Sequence, residues 1–104
     1  MIPRGAVVEV VLPLERQQGK PTGEQAGLRP AIVVQNCRKF PDCRLITLIP
    51  LTSKEDAAKL PATCRLAPTA DNGLSVPSVA LAFQVAAVDK ARVGKTLGLL
   101  SPQD

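Results

Sequence analysis

A small set of side chains in this sequence could hold and cleave a phosphodiester. Arg29 carries a permanently charged guanidinium whose planar fork of N–H groups matches a phosphate. It stands where a polar, glycine-containing stretch that begins at Gly23 meets the β-branched run 30–35. Thr52 could donate a hydrogen bond to a non-bridging phosphate oxygen, and Glu24 could accept the proton of an attacking ribose 2′-hydroxyl. This chemistry needs no metal ion.

Each of these residues also has a structural alternative. Arg29 taken alone fits a donor in a surface ion pair. Thr52, with Glu55 three residues later, fits a capping box at the start of a short helix. Glu24 fits a solvated loop carboxylate, and Gln84 fits a strand-end amide that satisfies an edge backbone group. The remaining polar candidates for the same substrate are the side chains of Gln25 and Ser53.

The composition excludes several classes of enzyme. The chain has no histidine, which excludes a histidine acid–base pair, a Ser-His-Asp triad and a histidine-containing zinc site. It also contains no phosphate-binding P-loop and no dinucleotide fingerprint. The cysteines, at positions 37, 43 and 64, form no Cys-x-x-Cys pair. We expect them to be buried or half-buried thiols, and we expect neither a metal nor a cofactor.

The charge balance is mildly basic. Thirteen Lys and Arg residues against nine Asp and Glu residues give a formal charge of +4 and a pI near 9.3, a bias toward polyanions such as RNA. The aromatic residues are Phe40 and Phe83 alone, so a binding surface built on base stacking is disfavoured. Phe83 is more typical of a core position than of a stacking platform.

The length of 104 residues indicates one domain, residues 1–104, with a single modest core. The N-terminal sequence Met-Ile-Pro-Arg-Gly lacks the apolar core of a signal peptide, and no apolar run approaches a membrane span. We therefore expect a soluble cytoplasmic protein.

The elements that must position these side chains are predicted to be strands. Short β-branched runs separated by turn residues, with little helical periodicity, indicate a mainly β fold, a small antiparallel barrel. Asp71-Asn72-Gly73 is a strong turn signal between two of the strands. The loop 14–28 is long for so small a domain, which is typical of a functional loop. The predicted strands are residues 6–12, 30–35, 44–51, 63–66, 78–85 and 94–100.

Helical structure is predicted to be minor. One helical turn is expected within residues 52–61 and a second within residues 88–93. Ser101 and Pro102, followed by an acidic residue, are typical of the first turn of a helix. The chain ends there, so we expect a C-terminal helix to be missing.

The ordered motifs of the chain resemble those of one family. They are Arg4-Gly5, the stretch from Gly23 to Asn36, Ile49-Pro-Leu-Thr-Ser53, Gly73-Leu with Ser78-Val79, Gln84, Val88-Asp-Lys-Ala-Arg92 and Leu97-Gly-x-Leu-Ser101. Together they are similar to the MazF/PemK toxins of bacterial type II toxin–antitoxin systems, over nearly the whole chain. The resemblance implies an SH3-like barrel, a homodimer, and metal-independent endoribonuclease activity on single-stranded RNA, typically mRNA, at a short sequence. It also implies inhibition by a cognate antitoxin.

The same resemblance implies roles for individual residues. The catalytic arginine and threonine of the family fall on Arg29 and Thr52. The positions that line its RNA groove fall on Glu24, Gln25, Ser53 and Gln84.

The chain departs from many members of that family at three places. Ala6 replaces an acidic residue, Leu81 and Phe83 stand where some members have an arginine and an aspartate, and the C-terminal helix is only begun. Two alternatives therefore stand beside the ribonuclease. One is a non-enzymatic toxin that binds gyrase, as in the related CcdB group. The other is a truncated relative that is inactive and only dimerises.

Overall fold

The computed structural model describes residues 2–11, 28–35 and 44–102, and within them the chain is mainly β, as predicted. None of the helices in these ranges is long and apolar enough to cross a membrane. The sequence predicted six strands, and the described residues form seven. The strands are β1 (Ala6–Val11), β2 (Leu28–Val33), β3 (Leu45–Thr52), β4 (Thr63–Leu66), β5 (Ser78–Leu81), β6 (Ala86–Asp89) and β7 (Val93–Leu99).

The strands form one antiparallel sheet centred on β3. The order is β4-β5-β3-β2-β1-β7, and β6 pairs with β3 as well. One edge of β3 pairs with β2, while the other edge pairs with β6 through residues 45–48 and with β5 through residues 51–52. A long strand that serves two partners on one edge must bend, and this bending curls the sheet.

The three strands β1, β2 and β3 have buried side chains on both faces. Because side chains alternate along a strand, β1, β2 and β3 each contribute to two cores. The first core consists of Ala6, Val8, Val10, Ala31, Val33, Ile46, Leu48 and Val88. The second consists of Val7, Ile32, Leu51, Leu66, Leu74 and Ala80. Burying one such Val, Leu or Ile side chain stabilises the fold by about 1.5–3 kcal/mol, so the β1–β2–β3 unit is a rigid support for the ends of its strands.

The predicted turn at residues 71–73 is confirmed, and it is organised by one buried amide. Asn72 is fully buried, and its Oδ1 accepts hydrogen bonds from the backbone N–H groups of Thr69 and Leu74, both at 3.0 Å. Its Nδ2 donates to the carbonyl oxygen of Ala67 at 3.0 Å. Gly73 follows with φ of +72°, a left-handed conformation that favours glycine. This network fixes the segment that connects β4 to β5.

The segment predicted as one strand, residues 78–85, is broken after Leu81. A 3₁₀ helix at Ala82–Gln84 separates β5 from β6, and the helical turn expected within residues 88–93 is present as a second 3₁₀ helix at Lys90–Arg92. The apolar run contains no turn residue, so nothing local marks the break. It is imposed by β3, whose edge bonds β5 and β6 at two separate places. The helical turn expected within residues 52–61 is present as a 3₁₀ helix at Glu55–Lys59.

Two burial predictions were wrong. Phe83 lies in the first of these turns, is 48 % exposed and belongs to neither core. Cys64 is exposed on β4 and not a buried thiol. Phe40, Cys37, Cys43, most of the loop 14–28, and the last two residues lie outside the described residues.

The side chain of Asp89 links the Lys90–Arg92 turn to Arg44, the residue that precedes β3. Its Oδ1 accepts a hydrogen bond from the N–H of Ala91 at 2.9 Å, and its Oδ2 pairs with Arg44 at 3.2 Å. The bond from Ala91 and then the one from Arg44 hold the pKa of this carboxyl below its usual range. A lowered pKa in the folded state means that the ionised carboxylate stabilises the fold.

This gives a prediction for Asp89→Asn, which keeps the capping oxygen and loses the charge. The stabilisation by the ionised Asp89 is present above the pKa of an unfolded aspartate, about 3.9. It disappears as the pH falls through the lower pKa of the folded state. Urea unfolding at neutral pH should show the variant to be slightly less stable than wild type. The two curves should converge on acidification, and a difference that stays constant with pH would contradict this account.

Candidate functional site

Arg29 is the second residue of β2. It pairs with Val10 across the β1–β2 ladder and is half-buried. Residues 31–33 of the same strand belong to the two cores, so the strand that carries the guanidinium is anchored by buried side chains and by pairing with β1. The guanidinium of Arg29 is therefore carried by a rigid strand.

The antiparallel register brings Arg29 and Thr52 to the same end of the sheet. The β2–β3 pairs are Val33 with Leu48, Ile32 with Ile49, and Ala31 with Pro50. One further step of two residues along each strand leads to Arg29 on β2 and Thr52 on β3. Both residues lie just beyond the last recorded pair of this ladder, Ala31 with Pro50, on neighbouring strands.

Thr52 ends β3 and does not form the capping box suggested by its sequence. Its Oγ1 accepts a hydrogen bond from the N–H of Lys54 at 3.2 Å. The N-cap position of the following 3₁₀ helix is Lys54, which makes no side-chain capping bond, and Glu55 pairs instead with Arg65 at 3.2 Å. A hydroxyl that accepts a bond still has its own proton to donate. The half-buried Thr52 hydroxyl can therefore donate to a bound anion.

The other predicted site residues fall into two groups. Ser53 follows β3 and is exposed. Gln84 is exposed in the 3₁₀ turn Ala82–Gln84, and that turn contacts β3. Glu24 and Gln25 lie outside the described residues.

A groove of about 510 Å³ opens beside Arg29. It lies at the open end of the second core, whose Leu74 forms part of its floor. Of the described candidates, Arg29 lines this groove, and Thr52, Ser53 and Gln84 do not. The groove is thus distinct from the Thr52 end of the sheet, and Arg29 is the candidate residue that lines it. The groove is walled by Glu9, Pro30, Leu74, Ser75, Ser78 and Leu97 among others.

Glu9 is the carboxylate among the residues that line this groove, and its sequence position had predicted no functional role for it. It is the single charged side chain in β1, whose other residues are Ala and Val. It is half-buried at a point where the β1–β7 register shifts, since Val8 pairs with Thr96 and Val10 with Val93. Glu9 therefore faces two residues of β7, which is a β-bulge, a feature common beside functional sites. The signal in the sequence was a lone carboxylate in an apolar strand.

Within the described ranges, no group of three or more His, Cys, Asp or Glu residues could hold a metal ion. The polar groups that are present suit an anionic substrate through charge-assisted hydrogen bonds.

Fold and site together define a small mainly β protein with an arginine and a hydroxyl at adjoining strand ends. The family comparison agrees with this description. Residues 3–104 match the model of the PemK-like, MazF-like toxins of type II toxin–antitoxin systems, and the chain belongs to that family. Members of the family are generally endoribonucleases. The comparison with curated proteins gives no match.

Solved structures share the fold. One is an endoribonuclease in complex with its cognate antitoxin from a mycobacterial species, at 19 % identity and a TM-score of 0.68, covering 99 % of this chain and 82 % of that one. Another is MazF from Deinococcus radiodurans, at 24 % identity and a TM-score of 0.69, covering 97 % of this chain and 83 % of that one. At these identities the likeness is one of fold.

Proposed function

We propose that this protein is the toxin of a type II toxin–antitoxin system and cleaves single-stranded RNA, typically mRNA, at a short sequence without a metal ion. The observation that carries the proposal is the register that leads to Arg29 and Thr52 at one end of the sheet. A guanidinium and a hydroxyl donor on neighbouring strands fit the equatorial oxygens of a phosphate under attack. Family membership supports the reaction class.

In this mechanism the ribose 2′-oxygen attacks the adjacent phosphorus. A bond forms between that oxygen and phosphorus while the bond from phosphorus to the 5′-oxygen of the next nucleotide breaks. The products are a 2′,3′-cyclic phosphate and a 5′-hydroxyl. Arg29 stabilises the negative charge that builds up on the non-bridging oxygens, and Thr52 donates a further hydrogen bond to one of them.

Two protons move in this reaction. The attacking 2′-hydroxyl loses one, and we assign its acceptance to Glu24, five residues before Arg29 in the sequence. The departing 5′-oxygen gains one, directly or through water. Gln25, Ser53 and Gln84 are assigned contacts with the RNA, and the exposed ring of Phe83 beside Gln84 is available to stack on a base.

The assembly we propose is a homodimer that is inhibited by a cognate antitoxin protein. Several large apolar side chains are about half exposed in the described part of the chain, a number of them near strand ends, which is typical of surfaces that meet a partner. They are Val11, Leu45, Leu60, Val76, Phe83, Val85 and Leu99.

The proposed function is tested by digestion of RNA in excess EDTA. We expect cleavage to continue, with 2′,3′-cyclic phosphate and 5′-hydroxyl ends. A 2′-deoxy substitution at the cleaved nucleotide should stop it. Thr52→Val removes the donating hydroxyl, so its single-turnover rate should fall roughly ten- to a hundredfold, as for loss of one hydrogen bond to a charged group.

Thr96→Val is the matched control, because Thr96 is exposed on β7 and lies outside the Thr52 end of the sheet. Its rate should equal that of wild type. Failure of wild type to cut RNA, or cutting only with added metal, would overturn the proposed reaction. Growth arrest with DNA breaks and intact RNA would point instead to a gyrase-binding toxin.

A further inference from the structure

The geometry points to the groove beside Arg29 as the binding site for a guanine base, with Glu9 reading the Watson–Crick edge of that base. This inference rests on the proposed ribonuclease function and names the nucleotide class that it selects. Arg29 lines the groove and is the proposed phosphate ligand. The base in the groove therefore belongs to a nucleotide next to the phosphate that is cleaved.

The size and the walls of the groove suit a nucleobase. Its volume of about 510 Å³ lies within the range of small-molecule sites. The apolar side chains of Pro30, Leu74 and Leu97 line it, and they can cover the flat faces of a purine. Leu74 belongs to the second core and Leu97 packs against that core, so these walls are already in place before RNA binds.

The chemistry of the groove selects the base. Glu9 is the carboxylate among its lining residues, and an ionised carboxylate only accepts hydrogen bonds. Guanine presents two adjacent donors, N1–H and the N2 amino group, which match two carboxylate oxygens in the manner of a bidentate pair. Cytosine and adenine offer one amino group beside an acceptor nitrogen. Uracil offers one N–H between two carbonyl oxygens that a carboxylate repels.

The backbone aims Glu9 at this position. Glu9 pairs with Pro30 on β2, and on β7 it faces Gly94 and Lys95 across the bulge. A methyl group at Gly94 would lie 3.7 Å from the Cβ of Glu9, so β1 and β7 are in ordinary van der Waals contact there. The strand is thereby held on both edges where its carboxylate enters the groove.

The opposite wall is held by hydrogen bonds within residues 72–78. Ser78 is buried, and its hydroxyl donates to the carbonyl oxygen of Val76 at 3.1 Å. Asn72 fixes Leu74 at the start of the same segment. A groove with both walls preset can discriminate between bases of similar size, because it does not adapt its shape to the wrong one.

The test is binding of short, uncleavable 2′-O-methyl RNA by fluorescence anisotropy. The three probes are a uridine oligomer with one guanosine, the same oligomer with inosine in its place, and uridine alone. Inosine lacks only the N2 amino group. We expect wild type to bind the guanosine probe roughly tenfold or more tightly than the inosine probe, the discrimination of one good base contact. Glu9→Gln should remove that difference.

Glu55→Gln provides the matched control, because Glu55 lies outside the groove and pairs with Arg65. It should retain the guanosine preference. Equal binding of the guanosine and inosine probes by wild type would overturn the inference without the need for any variant. So would a Glu9→Gln protein that binds every probe more weakly by the same factor, or a wild type that binds the uridine probe as tightly as the guanosine probe.

The two proposals fail in different ways. Guanosine-selective binding without cleavage of natural RNA would refute the nuclease and support the base site. Cleavage with no preference for guanosine in either binding or end-mapping would refute the base site and leave the nuclease standing.

Discussion

Replacing Arg29 by lysine should lower the single-turnover rate of RNA cleavage by roughly a hundred- to a thousandfold, the range found when one preorganised donor to a developing anion is removed. Lysine retains the positive charge but presents a compact ammonium in place of a planar fork. It cannot form two parallel hydrogen bonds to a phosphate. Arg29→Ala should be at least as slow. Rapid-mixing assays with one labelled RNA would measure both variants.

Arg44→Lys is the control for this change. Arg44 is an exposed arginine at the start of the 44–52 segment, and it pairs with Asp89. The same substitution there should leave the cleavage rate within about twofold, since exposed ion pairs contribute little. Because Arg29 is half-buried and has contacts of its own, the thermal unfolding of its variants should be recorded as well. A folded Arg29→Lys protein that cleaves at the wild-type rate would contradict the catalytic role.

The parts of the fold that the sequence predicted are those with a local cause. The strands β1, β2 and β3 were predicted because β-branched runs bounded by glycine and proline favour extended structure over any alternative. The turn at Asp71-Asn72-Gly73 was predicted because glycine tolerates the left-handed conformation found there. Both signals lie within a few residues of the element that they specify.

The break after Leu81 had no such local signal. The sequence of residues 82–85 predicts that the strand continues. The break depends on pairing with β3. Because β3 bonds β5 at residues 51–52 and β6 at residues 45–48, the chain must turn between the two sites. Phe83 lies in the same turn and is exposed, although its hydrophobicity predicted a core position. These errors share one cause, namely pairing between residues distant in the sequence.

The candidate site divides in the same way. Arg29 and Thr52 stand out by chemistry and by motif, and the β2–β3 register supports their proximity. The groove beside Arg29 could not be predicted, because its walls come from β1, β2, β7 and the 73–78 segment. Glu9 was visible as a charge in an apolar strand. Its direction depends on a bulge that arises only when β7 pairs with β1.

The β7 strand also contains a position where one added methyl group should have a large effect on stability. Gly98 lies against the 71–73 turn, and Leu99 donates a backbone hydrogen bond to Asp71 at 2.8 Å. A Cβ atom at Gly98 would overlap the carbonyl oxygen of Asp71 and lie 2.5 Å from the carbonyl carbon of Asn72. These are backbone atoms that the Asn72 hydrogen bonds hold in place. The added methyl therefore cannot be accommodated by rotation of a side chain.

Gly98→Ala should accordingly destabilise the fold by about 3 kcal/mol, the upper end for overpacking in a well-packed site. In a domain of this size that corresponds to a fall of roughly 10–25 °C in Tm. Gly94→Ala on the same strand is the matched control. A Cβ there meets its nearest neighbour, the carbonyl oxygen of Glu9, at 3.5 Å, which is ordinary contact. Its Tm should stay within a few degrees of wild type, because alanine in a strand costs no more than glycine.

The groove should respond to the same substitution. The turn that Gly98 supports leads directly into Leu74 and Ser75, so a displaced turn moves one wall of the groove while Arg29 and Thr52 remain on β2 and β3. At a temperature where Gly98→Ala is still folded, guanosine selectivity should fall more than the cleavage rate of an optimal RNA. Equal losses of both would show that the groove and the Arg29–Thr52 end of the sheet behave as one unit. An unchanged Tm would show that the turn does not pack on β7.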